Sequence, residues 1–68
     1  MTSRDRRIRH ALTDQHFPAE RWEIIICAEL YGADAITRQD LQHLPVGTYR
    51  SIDAVLIAVD RQIAKAKR

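Results

Sequence analysis

The sequence predicts an all-α domain, a compact bundle of four short helices spanning residues 1–68. Three observations carry this. Apolar residues recur at three- and four-residue spacing over residues 52–63, the signature of one buried helix face. Helix-starting and helix-ending residues divide the chain into four pieces, with no repeat and no low-complexity linker between them. The β-prone pieces, "WEIIIC" at 22–27 and residues 49–52, could make no more than an isolated hairpin, which is marginal in water.

The first helix is read over residues 4–12, with Thr2 or Ser3 available as N-cap and Ile8, Ala11 and Leu12 as its apolar side. Pro18 then stands where a helix favours its first residue, Glu20 suits the positive end of the helix dipole, and Gly32 supplies the C-terminal stop. A third, short helix starts either at Asp34 or at the capping-box-like Thr37-x-x-Asp40, and turns Leu41 and Leu44 inward. The stretch "PVGT" at 45–48 is a loop. Ser51 can cap the last helix, in which Ile52, Val55, Leu56, Val59 and Ile63 form one stripe. Phe17, Leu41, Tyr49, Val55 and Val59 are the expected core.

A chain of 68 residues has room for one small core, burying about 60% of the surface it exposes when unfolded. Such a core supplies on the order of 3–5 kcal/mol, so a disulfide, a metal or a partner chain would ordinarily add to it. The lone Cys27 excludes an internal disulfide; between Ile26 and Ala28 it reads as a small buried hydrophobe in a reducing compartment. No apolar run follows the basic start "MTSRDRRIRH", and none reaches the roughly 18 residues of a membrane span. A soluble, cytoplasmic protein is expected.

Charge is unevenly distributed behind a net value of +2. Arg4, Arg6, Arg7 and Arg9 crowd the start and Arg61, Lys65, Lys67 and Arg68 the end, whereas residues 11–60 hold three arginines against eight carboxylates.

Chemistry-bearing patterns are sparse. His10, Asp14 and His16 cluster locally, but His43 lies in another element and no spacing resembles a zinc site. No nucleophile other than Cys27 accompanies them, so no triad is expected. The only glycines, Gly32 and Gly47, are needed to end or turn segments, which leaves no phosphate-cradling loop. Neither catalysis nor a cofactor, metal or small-molecule substrate is expected. The last helix, with Arg61, Lys65, Lys67 and Arg68 near Ile63, approaches a membrane-surface helix, but its apolar stripe is better used as core.

Phe17-Pro18-Ala19, Gly32-Ala33-Asp34, Leu41, Leu44-Pro45, Tyr49, Val55 and Ala58 follow one another, ungapped, in an order and spacing that resembles the bacterial domain of unknown function 2795 family over residues 17–59. The resemblance implies a small all-helical domain with no established activity. At Trp22, Ile26, Leu30, Leu56 and Ile57 the family's pattern is polar or charged, and this chain departs from it.

Those departures bear on function. On a helical wheel Ile24, Ile25 and Ala28 gather on one side of residues 19–32, and Trp22, Ile26 and Leu30, each four apart, form a second stripe on the other. Two apolar faces need two partners. Either the second stripe is covered by the first and last helices, or Trp22, Ile26, Leu30 and, on the last helix, Ile57 form an interface with an identical chain or another protein. An interaction module is the expected function.

Nucleic acid is the competing partner. If the first and last helices lie side by side, Arg4, Arg6, Arg7, Arg9, Arg61, Lys65, Lys67 and Arg68 could together contact phosphates. Ala28-x-x-x-Gly32 and the following short helix also echo a helix-turn-helix, but Arg38 stands where that motif wants a core residue and Asp40 where DNA would repel it.

Overall fold

Local signals place most of the helix ends. The computed structural model describes residues 3–66, as α1 (Ser3–Ala11), β1 (Ala19–Glu20), α2 (Arg21–Leu30), α3 (Ala35–Gln42), β2 (Thr48–Tyr49) and α4 (Ile52–Ala66). The Thr13 hydroxyl closes α1 by donating to the carbonyls of His10 (2.7 Å) and Arg9 (3.3 Å). At the end of α2, Gly32 takes φ +81°. Its N–H donates to the Glu29 carbonyl and that of Ala33 to the Ala28 carbonyl, the paired bonds of a Schellman stop, which a residue in the left-handed region makes possible. Ser51 caps α4, its Oγ accepting from the Ala54 N–H at 3.3 Å.

Of the two starts open for α3, the structure uses Asp34, whose carboxylate accepts from the Thr37 N–H at 2.8 Å. Hydrogen bonding from Thr37 holds the Asp34 carboxyl below the usual carboxylate range, and Arg7 and Arg38 lower it further. A carboxyl whose folded pKa is depressed stabilises the fold above its unfolded pKa and loses that contribution as pH falls through the folded value. Acid titrations of helicity should therefore show the parent losing stability below the ordinary aspartate range. Asp34→Asn, which keeps an acceptor but cannot titrate, should lack that component; superimposable curves would remove Asp34 from the acid response.

Two sequence expectations need correcting. Pro18 is not the first residue of α2, and the domain is not purely all-α. Ala19 and Glu20 are extended and pair antiparallel with β2, Ala19 opposite Tyr49 and Glu20 opposite Thr48. Helix α2 begins only at Arg21, with the Glu20 N–H donating to the Glu23 carboxylate at 3.0 Å. Strands of two residues carry no alternation to read, and this ladder does not stand alone: Ala19 is fully buried and Tyr49 half-buried against the helices.

The core is assembled from all four helices. Ile8 and Ala11 come from α1, Ile24 and Ala28 from α2, Leu41 from α3, and Val55, Leu56 and Val59 from α4, joined by Leu12, Ala19 and Leu44 between elements. Of the expected core, Leu41, Val55 and Val59 are buried, while Phe17 and Tyr49 pack at its edge. Helix α1 lies against α3 and α4, and α2 against α3. Arg21 ties the start of α2 to the end of α3, its Nε donating to the Leu44 carbonyl at 2.6 Å and its Nη2 to that of Gln42 at 3.3 Å.

Candidate protein-docking surface

Helix α2 has an inner and an outer face. Ile24 and Ala28 are buried, whereas Trp22, Ile26 and Leu30 are 59%, 45% and 84% exposed. The first and last helices do not cover this stripe. It borders a groove of about 430 Å³ whose apolar wall is Trp22, Ile26, Cys27 and Leu30, with Asp14 and Glu23 on the rim. Trp22 is fixed in part by its indole N–H, which donates to the Glu20 carboxylate at 3.2 Å.

Ile57, the fourth expected interface residue, is exposed but belongs elsewhere. It forms part of one wall of a depression on α4 that Tyr49, Ala58 and Arg61 also line, so the structure does not join it to the α2 stripe. Val46, by contrast, went unmarked within the 45–48 loop, yet it is 90% exposed and shares a small depression with Trp22. An isolated valine in a turn has no periodicity, and its loop reaches the start of α2 through long-range contacts, the antiparallel ladder and the bonds from Arg21 to the Leu44 and Gly47 carbonyls.

Cys27 is half-buried rather than enclosed. Its thiol points to the Ala11 carbonyl, with Sγ 3.8 Å away. Burial, and secondarily the charge of Asp14, pushes the thiol pKa up, which keeps it protonated and a weak nucleophile. His10 stacks edge to face on Tyr31 with ring centroids 5.1 Å apart.

Among the described basic residues, three of the four N-terminal arginines are engaged by aspartates. Arg4 pairs with Asp60 (2.8 Å) and, more distantly, Asp40 (3.9 Å); Arg7 pairs with Asp40 (3.0 Å) and Arg9 with Asp53 (2.8 Å). Helices α1 and α4 do meet, but aspartates on α3 and α4 take up three of the four N-terminal arginines. Arg6, Arg61 and Lys65 are exposed, and Lys67 and Arg68 lie outside the described residues. On α3, Arg38 is exposed and Thr37 is the residue that turns inward with Leu41. Among the described residues no helix is long and apolar enough to cross a membrane.

No curated protein and no solved structure matches this chain. The family model described as "Protein of unknown function (DUF2795)" matches residues 3–56. The match reaches back across α1, which the motif resemblance over 17–59 did not include, and stops within α4. With most of its length covered by that model, the chain belongs to the DUF2795 family.

Proposed function

We propose that this chain is a small, non-catalytic protein-interaction module that docks through the outer face of α2. The observation that supports the reading is the exposure of Trp22, Ile26 and Leu30 along one groove. Fully burying a Leu or Ile side chain is worth about 1.5–3 kcal/mol, so a partner covering this stripe gains much for a contact of few residues. Aromatic anchors such as Trp22 are enriched at the centres of such contacts. The protein is taken to act in the cytoplasm of a bacterium, where a lone thiol stays reduced. Phosphate contact has less support, because Arg4, Arg7 and Arg9 are already engaged by Asp60, Asp40 and Asp53.

The face can be tested without knowing its occupant. A photo-crosslinking residue in place of Ile26 is expected to give discrete protein adducts in cells, and the same residue in place of Gln39, exposed on α3, is expected to give none. Equal yields from both positions, or none from position 26, would overturn the reading.

A further inference from the structure

Pairing the charges leaves four carboxylates around α2 and, on α4, two neighbouring cations; Arg21, at the start of α2, also lacks an ion pair among the described residues but is held on the carbonyls of Leu44 and Gln42. Asp40, Asp53 and Asp60 hold arginines, and Asp34 caps α3. Asp14, Glu20, Glu23 and Glu29 have no ion pair among the described residues, and all four stand on α2 or at its approaches. Asp14 and Glu23 border the groove itself, and Glu20 holds the Trp22 indole. The groove is therefore apolar with an acidic margin.

A surface of the opposite kind lies on α4. Ile57, Arg61 and Lys65, each four residues apart, share one helix face, and all three are exposed. Neither Arg61 nor Lys65 has an ion pair among the described residues. This ridge, one wall of the depression that Tyr49 and Ala58 also line, offers one exposed apolar side chain followed by two cations.

We propose that the α2 groove receives the α4 ridge of a second copy of this chain, with Ile57 entering beside Trp22, Ile26 and Leu30, and with Arg61 and Lys65 meeting the carboxylates of the margin. The inference rests on the reading of α2 as a docking face and names its occupant. Charge decides between the two ways in which copies could meet. Placing α2 against α2 of the partner brings two acidic margins together, which disfavours that arrangement, whereas α2 against α4 pairs opposite signs and fixes the register. The contact joins unlike surfaces. Made reciprocally it closes a two-fold dimer, and made once per pair it propagates a chain.

The test is light scattering behind size-exclusion chromatography on the full chain, over a range of protein and salt concentrations. Species of at least twice the 7.9 kDa of one chain are expected, with association weakening as salt rises. Leu30→Glu disables the groove and Arg61→Glu/Lys65→Glu disables the ridge. Each should weaken self-association at least about tenfold, as expected at the centre of a contact. A mixture of the two should regain association that neither shows alone, because the first keeps its ridge and the second its groove. All three positions are exposed, and circular dichroism checks the fold; Leu30→Gln replaces Leu30→Glu if helicity is lost. A ridge variant that associates like the parent, beside a monomeric groove variant, would overturn the inference in favour of α2 against α2 and leave the docking face standing. A parent chain that stays monomeric while position 26 still crosslinks to another protein would likewise overturn only the occupant. Association that neither variant weakens would overturn the inference and the docking face together.

Discussion

Leu41→Ala is expected to abolish cooperative unfolding. Leu41 is 1% exposed on a helix of eight residues that packs against α1, α2 and α4, so the void left by truncation has walls on several elements that cannot all move in. Truncating a buried leucine costs about 2–5 kcal/mol, as much as the roughly 3–5 kcal/mol that a core of this size supplies. Circular dichroism during heating or urea titration should show a broad, sloping loss of helix instead of a transition. Ile36→Ala on the same helix, at a position 58% exposed, controls for helix propensity and should melt close to the parent. A Leu41→Ala chain melting like the parent would remove Leu41 from the core.

Ile8→Ala is the second large effect, and it separates apolar from ionic anchoring of α1. That helix buries only Ile8 and Ala11, while Arg4, Arg7 and Arg9 reach across to aspartates. The ionic side is the more numerous, but the pairs are partly solvated; Arg9 and Asp53, for instance, keep 38% and 70% of their side-chain surface. Exposed pairs of this kind contribute about 0–1 kcal/mol each, against about 2–5 kcal/mol for truncating a buried isoleucine. Ile8→Ala should therefore release α1, seen as faster tryptic cleavage after Arg6, Arg7 and Arg9, and Arg9→Ala should change little. Comparable destabilisation by the two substitutions would show that the ionic seam carries the docking of α1.

The helices were legible because their signals are local. The α4 stripe of Val55, Leu56 and Val59 and the Gly32 stop each act within a few residues of the chain, so spacing and residue type suffice, whereas for α3 they narrowed the start to two positions, of which Asp34 is the one used. The β1–β2 ladder was not legible, since it joins Ala19 to Tyr49 through residues that pair only after the chain has folded. Pro18 misled for the same reason: its preference for a helix start is real, but the ladder claims the two residues that follow it. At the candidate site, the four-residue recurrence of Trp22, Ile26 and Leu30 anticipated one exposed face, because helical geometry fixes what lies on a face. The same spacing says nothing of which elements adjoin it, so neither Val46 beside Trp22 nor the distance of Ile57 from it could be read. The pairing of charges was not legible either. Arg4, Arg7 and Arg9 look like a basic tail in linear order and are a seam in space, because their carboxylate partners stand 33 to 56 positions away.

The short ladder also shapes the order in which the chain can assemble. By holding Ala19 to Tyr49 it closes a ring of roughly thirty residues that contains α2 and α3 and leaves α1 and α4 outside. Closing a flexible ring of that length costs about 3 kcal/mol in chain entropy, more than two residue pairs of sheet return. The cost falls once α2 and α3 have formed and packed, since they shorten the disordered path between the ends. The clasp is therefore expected to shut after α2 and α3 have packed, with α1, which lies outside the ring, docking later. In mutational kinetics, substitutions between α2 and α3 should slow refolding, whereas those that loosen α1 should act almost wholly by speeding unfolding.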